Sequence, residues 1–471
     1  MQIEATVDLS RIRDQTLRIR MDFRSAAART DLVLPALAVG NGITVAGLRA
    51  ALEDGRPLRP VIDRDRLQVE AGVFQLEYEL HTRHTQCVGC DREWDLTYPF
   101  LNPREAFWGT GALAWPAGLE QTAAGDRFRF QAAGLPAGWR LFSNLAPGRM
   151  HAAVLEGFFA YASADQHPGQ IDLHPAGRRV RFRWLAQPGK SIPLESAGLQ
   201  RFLSSYLDWL QLHLGPLRPA RIDFLVLQAP TGFERRTRGR TFASGENVIG
   251  GIAVYAPPDP AGLQALTGSD DYAFFLLDGL AHELMHFYTT TSWQGRFKSR
   301  LYPSQACPAW TARLLGEALN YYFSRQYVDA YLGRAQESLP GMLGRALTAA
   351  RTGKGRSPLL ELFLLDAALQ RSGSSLLQWF GVLVRAGPKA AHRLDSAAEL
   401  LEAAGALGTR LPEAIAGLLL DPAIPDYPAM LRPVLDELGF ELELGTDGLA
   451  RIRPVRPARR SFRRIGIEDP V

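Results

Sequence analysis

The stretch His282-Glu283-Leu284-Met285-His286 constrains the fold and chemistry of this chain more than any other. Two histidines four positions apart on a helix leave the same face one turn apart, so both imidazoles can bind a single cation. Mostly apolar residues flank the motif, from Phe274 to Ala281 before it and at Phe287 and Tyr288 after it. This pattern predicts a buried helix that keeps bulk water away from a metal. A histidine pair with an adjacent glutamate is typical of zinc hydrolases, in which the glutamate takes a proton from an activated water.

A third protein ligand must come from elsewhere in the chain, and Glu317 is the best candidate. It lies in an apolar stretch of helical spacing, 310–322, with Pro308 shortly before it. Asn320 and Tyr321 follow three and four positions later on the same helical face, where they could orient the carboxylate or face a substrate. The alternative is that Glu317 is a surface glutamate of an amphipathic helix.

The histidine motif, the 30 residues after it and the segment Glu317–Tyr322 resemble the glycyl aminopeptidase family of gluzincin metallopeptidases, relatives of thermolysin and aminopeptidase N. That family has a downstream Trp-x-x-Glu-Gly motif followed by a tyrosine pair. The glutamate and the tyrosine pair are present here, with alanine in place of the glycine. The resemblance implies that His282, His286 and Glu317 bind one catalytic Zn²⁺ per chain, with Glu283 as general base.

The family also carries Gly-Gly-Leu-Glu-His on the strand before the zinc helix, where the glutamate is thought to hold the amino terminus of the substrate. The corresponding residues here are Gly250, Gly251, Ile252 and Ala253, with alanine where the glutamate would stand. We expect these four residues to bind substrate through backbone hydrogen bonds, which need no particular side chain. Glu246 is the nearest acidic substitute. Whether the chain is an exopeptidase or an endopeptidase stays open.

Hydrophobic periodicity predicts an α+β multidomain chain. Alternation of period two, as in 17–23 and 74–80, predicts an N-terminal antiparallel β-sandwich-like domain over 1–185. Helical spacing, as in 199–214 and 358–371, predicts a mostly helical, thermolysin-like catalytic domain with a small β-sheet over 186–445. The remaining residues, 446–471, are rich in arginine and predict a basic C-terminal tail. They are too few for the PDZ module that often ends members of the resembled family.

A second group of metal-binding residue types lies in the N-terminal part, at His81, His84, Cys87 and Cys90. Four ligands within ten residues are closer together than in usual structural zinc sites, which separate two ligand pairs by a dozen residues or more. A second zinc site, a hairpin disulfide and two plain thiols all remain alternatives.

Composition limits the partners. The net charge of +4 is modest and does not predict a nucleic-acid partner, and no run of 18 apolar residues predicts a membrane span. The first residues lack the basic and apolar segments of a secretion signal, which favours the cytoplasm. Members of the resembled family are often exported, so a periplasmic or secreted location stays open if a signal peptide has been removed. The oligomeric state is unknown.

These features predict a zinc metallopeptidase that hydrolyses peptide or protein substrates, an aminopeptidase-like relative with altered recognition of the amino terminus. A donor must also stabilise the oxyanion. Tyr288, Tyr302, Tyr321 and Tyr322 are candidates, and we select Tyr322 because it belongs to the motif shared with the family. The alternative function is a catalytically silent relative that binds peptides or proteins in the same cleft.

Overall fold

The fold is described by a computed structural model of the 471-residue chain. The residues that it describes are 1–34, 43–63, 66–82, 100–101, 105–109, 112–116, 127–152, 159–164, 167–186, 196–217, 221–228, 245–248, 251–256, 272–289, 301–303, 314–333, 338–385, 392–394, 396–420 and 423–455. The chain divides into two compact units. Unit 1 comprises Met1–Leu173, Arg178–Leu194 and Pro219–Tyr272, and unit 2 comprises His174–Gly177, Glu195–Arg218 and Ala273–Val471.

Unit 1 is built mainly of β-strands. In chain order they are β1 (Gln2–Asp8), β2 (Thr16–Arg24), β3 (Thr30–Val33), β4 (Ile43–Ala51), β5 (Pro57–Leu58), β6 (Val61–Asp63), β7 (Arg66–Val69), β8 (Val73–Thr82), β9 (Phe100–Leu101), β10 (Glu105–Gly109), β11 (Trp115–Pro116), β12 (Arg127–Ala133), β13 (Arg140–Ser143), β14 (His151–Ala152), β15 (Phe159–Ser163), β16 (His167–Leu173), β17 (Arg179–Ala186), β18 (Arg221–Gln228), β19 (Gly245–Val248) and β20 (Gly251–Ala256).

These strands form four sheets. The largest has the order β14-β12-β1-β2-β8-β4-β5, two four-stranded sheets have the orders β13-β15-β10-β9 and β11-β3-β7-β6, and a five-stranded sheet has the order β16-β17-β18-β20-β19. Most neighbours are antiparallel, as predicted. The exceptions are β1 with β12 and the pairs β17-β18 and β18-β20, which are parallel. Parallel neighbours require a long crossover connection, so local alternation alone does not reveal them.

The predicted alternation corresponds to one buried face. The two stretches that predicted strands form β2 and β8, and Phe23 of β2 stacks on Phe74 of β8 with ring centroids 4.9 Å apart. Along β1, the side chains of Ile3, Ala5 and Val7 are buried and those between them are partly exposed. Because successive side chains on a strand point to opposite faces, this alternation is what a sheet with one packed face requires.

Unit 2 is mainly helical. Its helices, numbered in chain order, are α1 (Ser196–Leu214), α2 (Tyr272–Met285), α3 (Leu319–Tyr331), α4 (Ser338–Ala349), α5 (Pro358–Arg371), α6 (Leu376–Arg385), α7 (Ala398–Ala406), α8 (Glu413–Leu420) and α9 (Tyr427–Glu437). Two short strand pairs accompany them, β21 (Leu301–Pro303) with β22 (His392–Leu394) and β23 (Phe440–Leu444) with β24 (Ala450–Pro454). None of the helices described combines the length and apolar character that a membrane span needs.

Helix α5 is at the centre of this unit, since every residue from Leu360 to Leu369 is buried. It begins with Pro358 in its first turn, where the missing N–H of proline is tolerated. Asp366, on the same helix, accepts a hydrogen bond from the backbone N–H of Leu376, which connects α5 to the start of α6. The mixed architecture of a β-rich N-terminal part and a later helical part agrees with the predicted fold class.

The domain boundaries at 185 and 445 remain predictions, and the observed organisation differs from them in two places. Strands β18 to β20 belong to unit 1, because β18 pairs with β17 and extends its sheet. Residues 450–454, which we expected in the basic tail, form β24, whose antiparallel partner is β23. The rest of the predicted tail, from 456 onward, lies outside the described residues.

Candidate metal centre

The histidine motif occupies the C-terminal end of α2 and the turn that follows it. His282 lies in the last turn of the helix, and His286 directly follows its final residue. The surroundings are apolar, with Leu280, Ala281, Leu284, Met285 and Tyr288 fully buried. Two tyrosines hold this segment against α1: Tyr206 donates to the carbonyl of Ala281 at 2.9 Å, and Tyr288 donates to the carbonyl of Gly215 at 2.6 Å. The predicted buried helix is therefore observed.

The two imidazoles and the carboxylate of Glu317 converge. The Nε2 atom of His282 lies 3.2 Å from Oε2 of Glu317, and the Nε2 atom of His286 lies 3.4 Å from Oε1. The two histidine rings are nearly perpendicular, with centroids 5.1 Å apart. Among the described residues, these three form the one group of potential metal ligands, with all ligand atoms within 4.8 Å of one another.

Glu317 reaches the histidines from a distorted helical turn rather than from a regular helix. Residues Leu314–Ala318 form a kinked turn immediately before α3, and the kink is at Gly316, whose φ of −105° and ψ of −109° are not helical. The segment was predicted to be an ordinary helix, so the distortion is a finding of the structure.

Buried polar contacts hold α2 and α3 together on either side of the ligands. Asp278, one turn before His282, accepts a hydrogen bond from Ser324 at 2.6 Å and pairs with Arg325 at 3.2 Å. Beyond the motif, Thr289 donates to the side-chain oxygen of Asn320 at 2.7 Å. Asn320 was a candidate from the sequence, whereas Asp278 and Thr289 were not. Their positions, four before one histidine and three after the other, are the signal that would have found them.

The charges of the group are strongly coupled. Burial lowers the pKa of His282, but the hydrogen bond and charge of Glu317, with smaller contributions from Glu283 and Asp278, raise it to about 9. Burial raises the pKa of Glu317, but the two histidines outweigh this effect and hold it well below its usual value. The two histidines therefore favour the negatively charged form of the Glu317 carboxylate. Glu283, one residue from His282, is itself buried, at 4% exposure.

The donor set and its spacing fit zinc. Tetrahedral zinc with bonds of about 2.0–2.2 Å to histidine nitrogen and carboxylate oxygen separates its ligand atoms by about 3.3–3.5 Å. The separations between imidazole and carboxylate, 3.2 Å to Oε2 and 3.4 Å to Oε1 of Glu317, are close to this spacing and end on different oxygens of the carboxylate. The side chain of Glu317 is 50% exposed, whereas both histidines are largely buried. Three protein ligands with an accessible side are the usual composition of a catalytic zinc site.

Tyr322 does not have the environment that we expected for an oxyanion donor. Its side chain is 1% exposed, and its hydroxyl donates to Asp366 at 2.8 Å. Burial and the Asp366 charge raise the pKa of Tyr322 well above its usual value. The neighbouring Tyr321 instead packs edge-to-face on His282, with centroids 5.0 Å apart. The catalytic role of Tyr322 stays a prediction, without support from this geometry.

The predicted substrate strand is not free to pair with a peptide. Gly251, Ile252 and Ala253 lie in β20, which pairs with β18 on one side and with β19 on the other, and Gly250 lies outside the described residues. Both backbone edges of this strand are therefore occupied, contrary to our expectation that it adds a peptide strand. In the described part of this sheet, β16 and β19 are the two edge strands. Strand β19 contains Glu246, whose register partner is Ala253.

The possible second metal site cannot be assembled from the described residues. The Nδ1 atom of His81 lies 2.9 Å from Oγ1 of Thr16, and its Nε2 atom lies 3.4 Å from Oε2 of Glu79. His84, Cys87 and Cys90 lie outside the described residues. The alternatives of a zinc, a disulfide or plain thiols therefore stay as the sequence left them.

No protein-family model matches the sequence, and no curated protein matches it either. Solved structures do. An aminopeptidase N family protein from Idiomarina loihiensis is 12% identical with a TM-score of 0.65, over 94% of this chain and 79% of that one. A mutant M1 zinc metallopeptidase from Deinococcus radiodurans has 12% identity and a TM-score of 0.55, over 91% and 95% of the chains. The mutant bound to a Tyr-Ser-Ala substrate has a TM-score of 0.52, with 12% identity and 91% and 94% coverage. The chain has the fold of these M1 enzymes.

Proposed function

We propose that this protein is a zinc-dependent peptidase. The observation that carries the proposal is the convergence of His282, His286 and Glu317 from two separate segments, with the buried Glu283 next to the first of them. The M1 fold supports it, and so does the nature of the ligands, because neutral imidazoles and a carboxylate are preferred by catalytic zinc. One zinc ion per chain accounts for the group.

In this proposal each residue has a distinct task. His282, His286 and Glu317 hold the ion, which when bound supplies a Lewis acid that makes water acidic near neutral pH and polarises a carbonyl. Glu283 accepts a proton from the attacking water while the water oxygen bonds to the carbonyl carbon of the peptide. The same carboxyl group then delivers that proton to the amine as the C–N bond breaks. The apolar surround of α2 excludes competing water, which strengthens these electrostatic interactions.

For the oxyanion donor we propose Tyr321 in place of Tyr322. The ring of Tyr321 lies against a metal ligand, whereas the hydroxyl of Tyr322 is engaged with Asp366 in the interior. A phenol near the ion can donate to the negative charge that develops on the carbonyl oxygen.

We propose peptides as the substrate class, and the Deinococcus radiodurans enzyme solved with Tyr-Ser-Ala supports this. The backbone of β20 is paired on both sides, so this strand does not add a peptide strand. From the sequence, Glu246 is the nearest acidic substitute for the glutamate that the resembled family carries, and we propose it as the group that binds the free amine of a substrate. An aminopeptidase-like preference rests on this residue, and the resemblance to glycyl aminopeptidases stays a prediction.

The test is cleavage of a mixed pool of free-amine and N-blocked peptides by the protein as purified, after zinc removal with a chelator, and after zinc is restored. Elemental analysis gives the zinc content in parallel. We expect cleavage that follows a stoichiometry of one zinc per chain and returns when zinc is restored. Zinc bound at one per chain without cleavage of any peptide would overturn the proposal in favour of a silent peptide-binding relative.

A further inference from the structure

Outside the three ligands, a buried polar chain leads away from His286. The Nδ1 atom of His286, on the far side of the ring from the metal-facing Nε2 atom, lies 3.4 Å from the hydroxyl oxygen of Thr289. The hydroxyl of Thr289 in turn lies 2.7 Å from Oδ1 of Asn320. Thr289 and Asn320 are both fully buried, at 0% exposure. This hydrogen-bond chain therefore runs through the interior, from the end of α2 to α3.

The direction of this hydrogen-bond chain follows from counting protons. A threonine hydroxyl has one proton and can donate it to one acceptor. Two acceptors lie within reach of that proton, Oδ1 of Asn320 at 2.7 Å and the carbonyl oxygen of Met285 at 3.4 Å, and the shorter contact to Oδ1 takes it. Thr289 can then meet His286 only as an acceptor, which requires that Nδ1 carries the imidazole proton.

This tautomer is the one that metal binding needs. A neutral imidazole has one protonated and one unprotonated nitrogen, and only the unprotonated nitrogen can bind a metal ion. A proton fixed at Nδ1 leaves the lone pair at Nε2, the atom that lies 3.4 Å from the carboxylate of Glu317. If Thr289 donated to Nδ1 instead, the proton would move to Nε2 and block coordination.

We infer that Thr289 and Asn320 are positioning residues that fix the tautomer and ring orientation of His286 for zinc. Asn320 takes the hydroxyl proton of Thr289, and Thr289 then accepts from His286. The inference rests on the proposed zinc function and adds residues that act on the metal through a ligand. Partners of this kind change metal affinity by about 10- to 100-fold when they are removed.

The test measures zinc affinity by competition with a chelator for the full chain and its variants. Thr289→Val removes the hydroxyl while keeping the shape, and Thr289→Ser keeps the hydroxyl. Asn320→Leu removes the acceptor at similar size and serves as the second variant should Thr289→Val not fold. The matched control is Thr409→Val, since Thr409 is also buried and bonds to Ser374 at 3.1 Å, in another part of unit 2. Thermal unfolding of each zinc-free protein gives the structural contribution separately.

We expect the zinc dissociation constant to rise about 10-fold or more in Thr289→Val and Asn320→Leu, and to stay within about twofold of wild type in Thr289→Ser and in the control. NMR of the cobalt-substituted protein supplies a second readout, which would not change if Thr289 contributed only to stability. The Nδ1 proton of His286, shifted by the paramagnetic ion, should exchange with solvent faster in Thr289→Val than in wild type.

The inference would be overturned if the wild type binds one zinc and the zinc dissociation constants of Thr289→Val and Asn320→Leu lie within twofold of the control. An equal loss of affinity in Thr289→Ser and Thr289→Val would also overturn it. A wild-type chain that binds no zinc would instead refute the proposed function, and the inference with it.

Discussion

The Nε2 atom of His282 lies 3.2 Å from a carboxylate oxygen of Glu317, although 35 positions separate the two residues in the chain. The contact joins the end of α2 to the kinked turn, Leu314–Ala318, before α3. It completes a ligand set that neither segment contains alone, because a helix that supplies two histidines leaves the metal short of a third protein ligand. Because the side chain of Glu317 is half exposed, replacing it should reduce metal binding with little effect on folding.

We therefore predict that Glu317→Gln lowers zinc affinity by more than about 100-fold, since a direct ligand should matter more than the partners of ligands, which contribute about 10- to 100-fold. Equilibrium dialysis with elemental analysis measures the loss. Glu413→Gln is the control, because Glu413 is an exposed glutamate at the start of α8 in the same unit. Equal zinc content in the two variants would exclude Glu317 as a ligand.

A second prediction concerns the base. Glu283→Gln keeps the size of this buried side chain and removes its ability to accept a proton. We expect kcat for peptide cleavage to fall by about 10²- to 10⁴-fold, the usual contribution of general acid–base catalysis. The zinc content should stay at one per chain. A variant that retains kcat would show that another group takes the proton, and a variant that loses zinc would make Glu283 part of the metal site.

The pair of candidate ligands His282 and His286 was predictable from sequence because its signal is local. Residues four positions apart lie on the same face of a helix, and apolar flanks indicate that the helix is buried. Glu317 lies in a separate segment, and the ligand role of all three residues stays a prediction. Strand order was not predictable: residues 250–253 were expected to bind substrate through backbone hydrogen bonds, but the pairing of β20 with both β18 and β19 depends on contacts between distant parts of the chain. Tyr321 and Tyr322 differ by one position, which is about 100° around a helix. Sequence alone does not tell which of them faces His282 and which faces Asp366.

The two tyrosines give the third prediction, because the same substitution should have different effects at adjacent positions. Tyr321→Phe should lower kcat by about 10²-fold, the loss seen when one oxyanion donor is removed, with little change in stability. Tyr322→Phe should leave kcat near wild type and lower the free energy of unfolding by about 1–3 kcal/mol, because Asp366 loses a buried hydrogen-bond donor. Peptide kinetics and chemical denaturation of both variants measure these effects. The reverse pattern would restore Tyr322 as the catalytic residue.

The last prediction concerns the end of the substrate. Glu246 is the nearest acidic substitute in the sequence for the amine-binding glutamate of the resembled family, and its register partner is Ala253, the position where that family carries the glutamate. A carboxylate that binds an ammonium group forms a charge-assisted bond, and removing one such bond typically costs about 1.5–3 kcal/mol, or about 10- to 100-fold in binding. Glu246→Gln should therefore lower kcat/KM for free-amine peptides by that factor. The same change should leave kcat/KM for N-blocked peptides unchanged, because they carry no ammonium group to bind.

Glu77→Gln, at an exposed glutamate of β8, controls for the loss of a negative charge from unit 1. Equal losses for free and blocked peptides in Glu246→Gln would mean that Glu246 supports the strand rather than the substrate, and the specificity for a free amino terminus would then have to come from another residue.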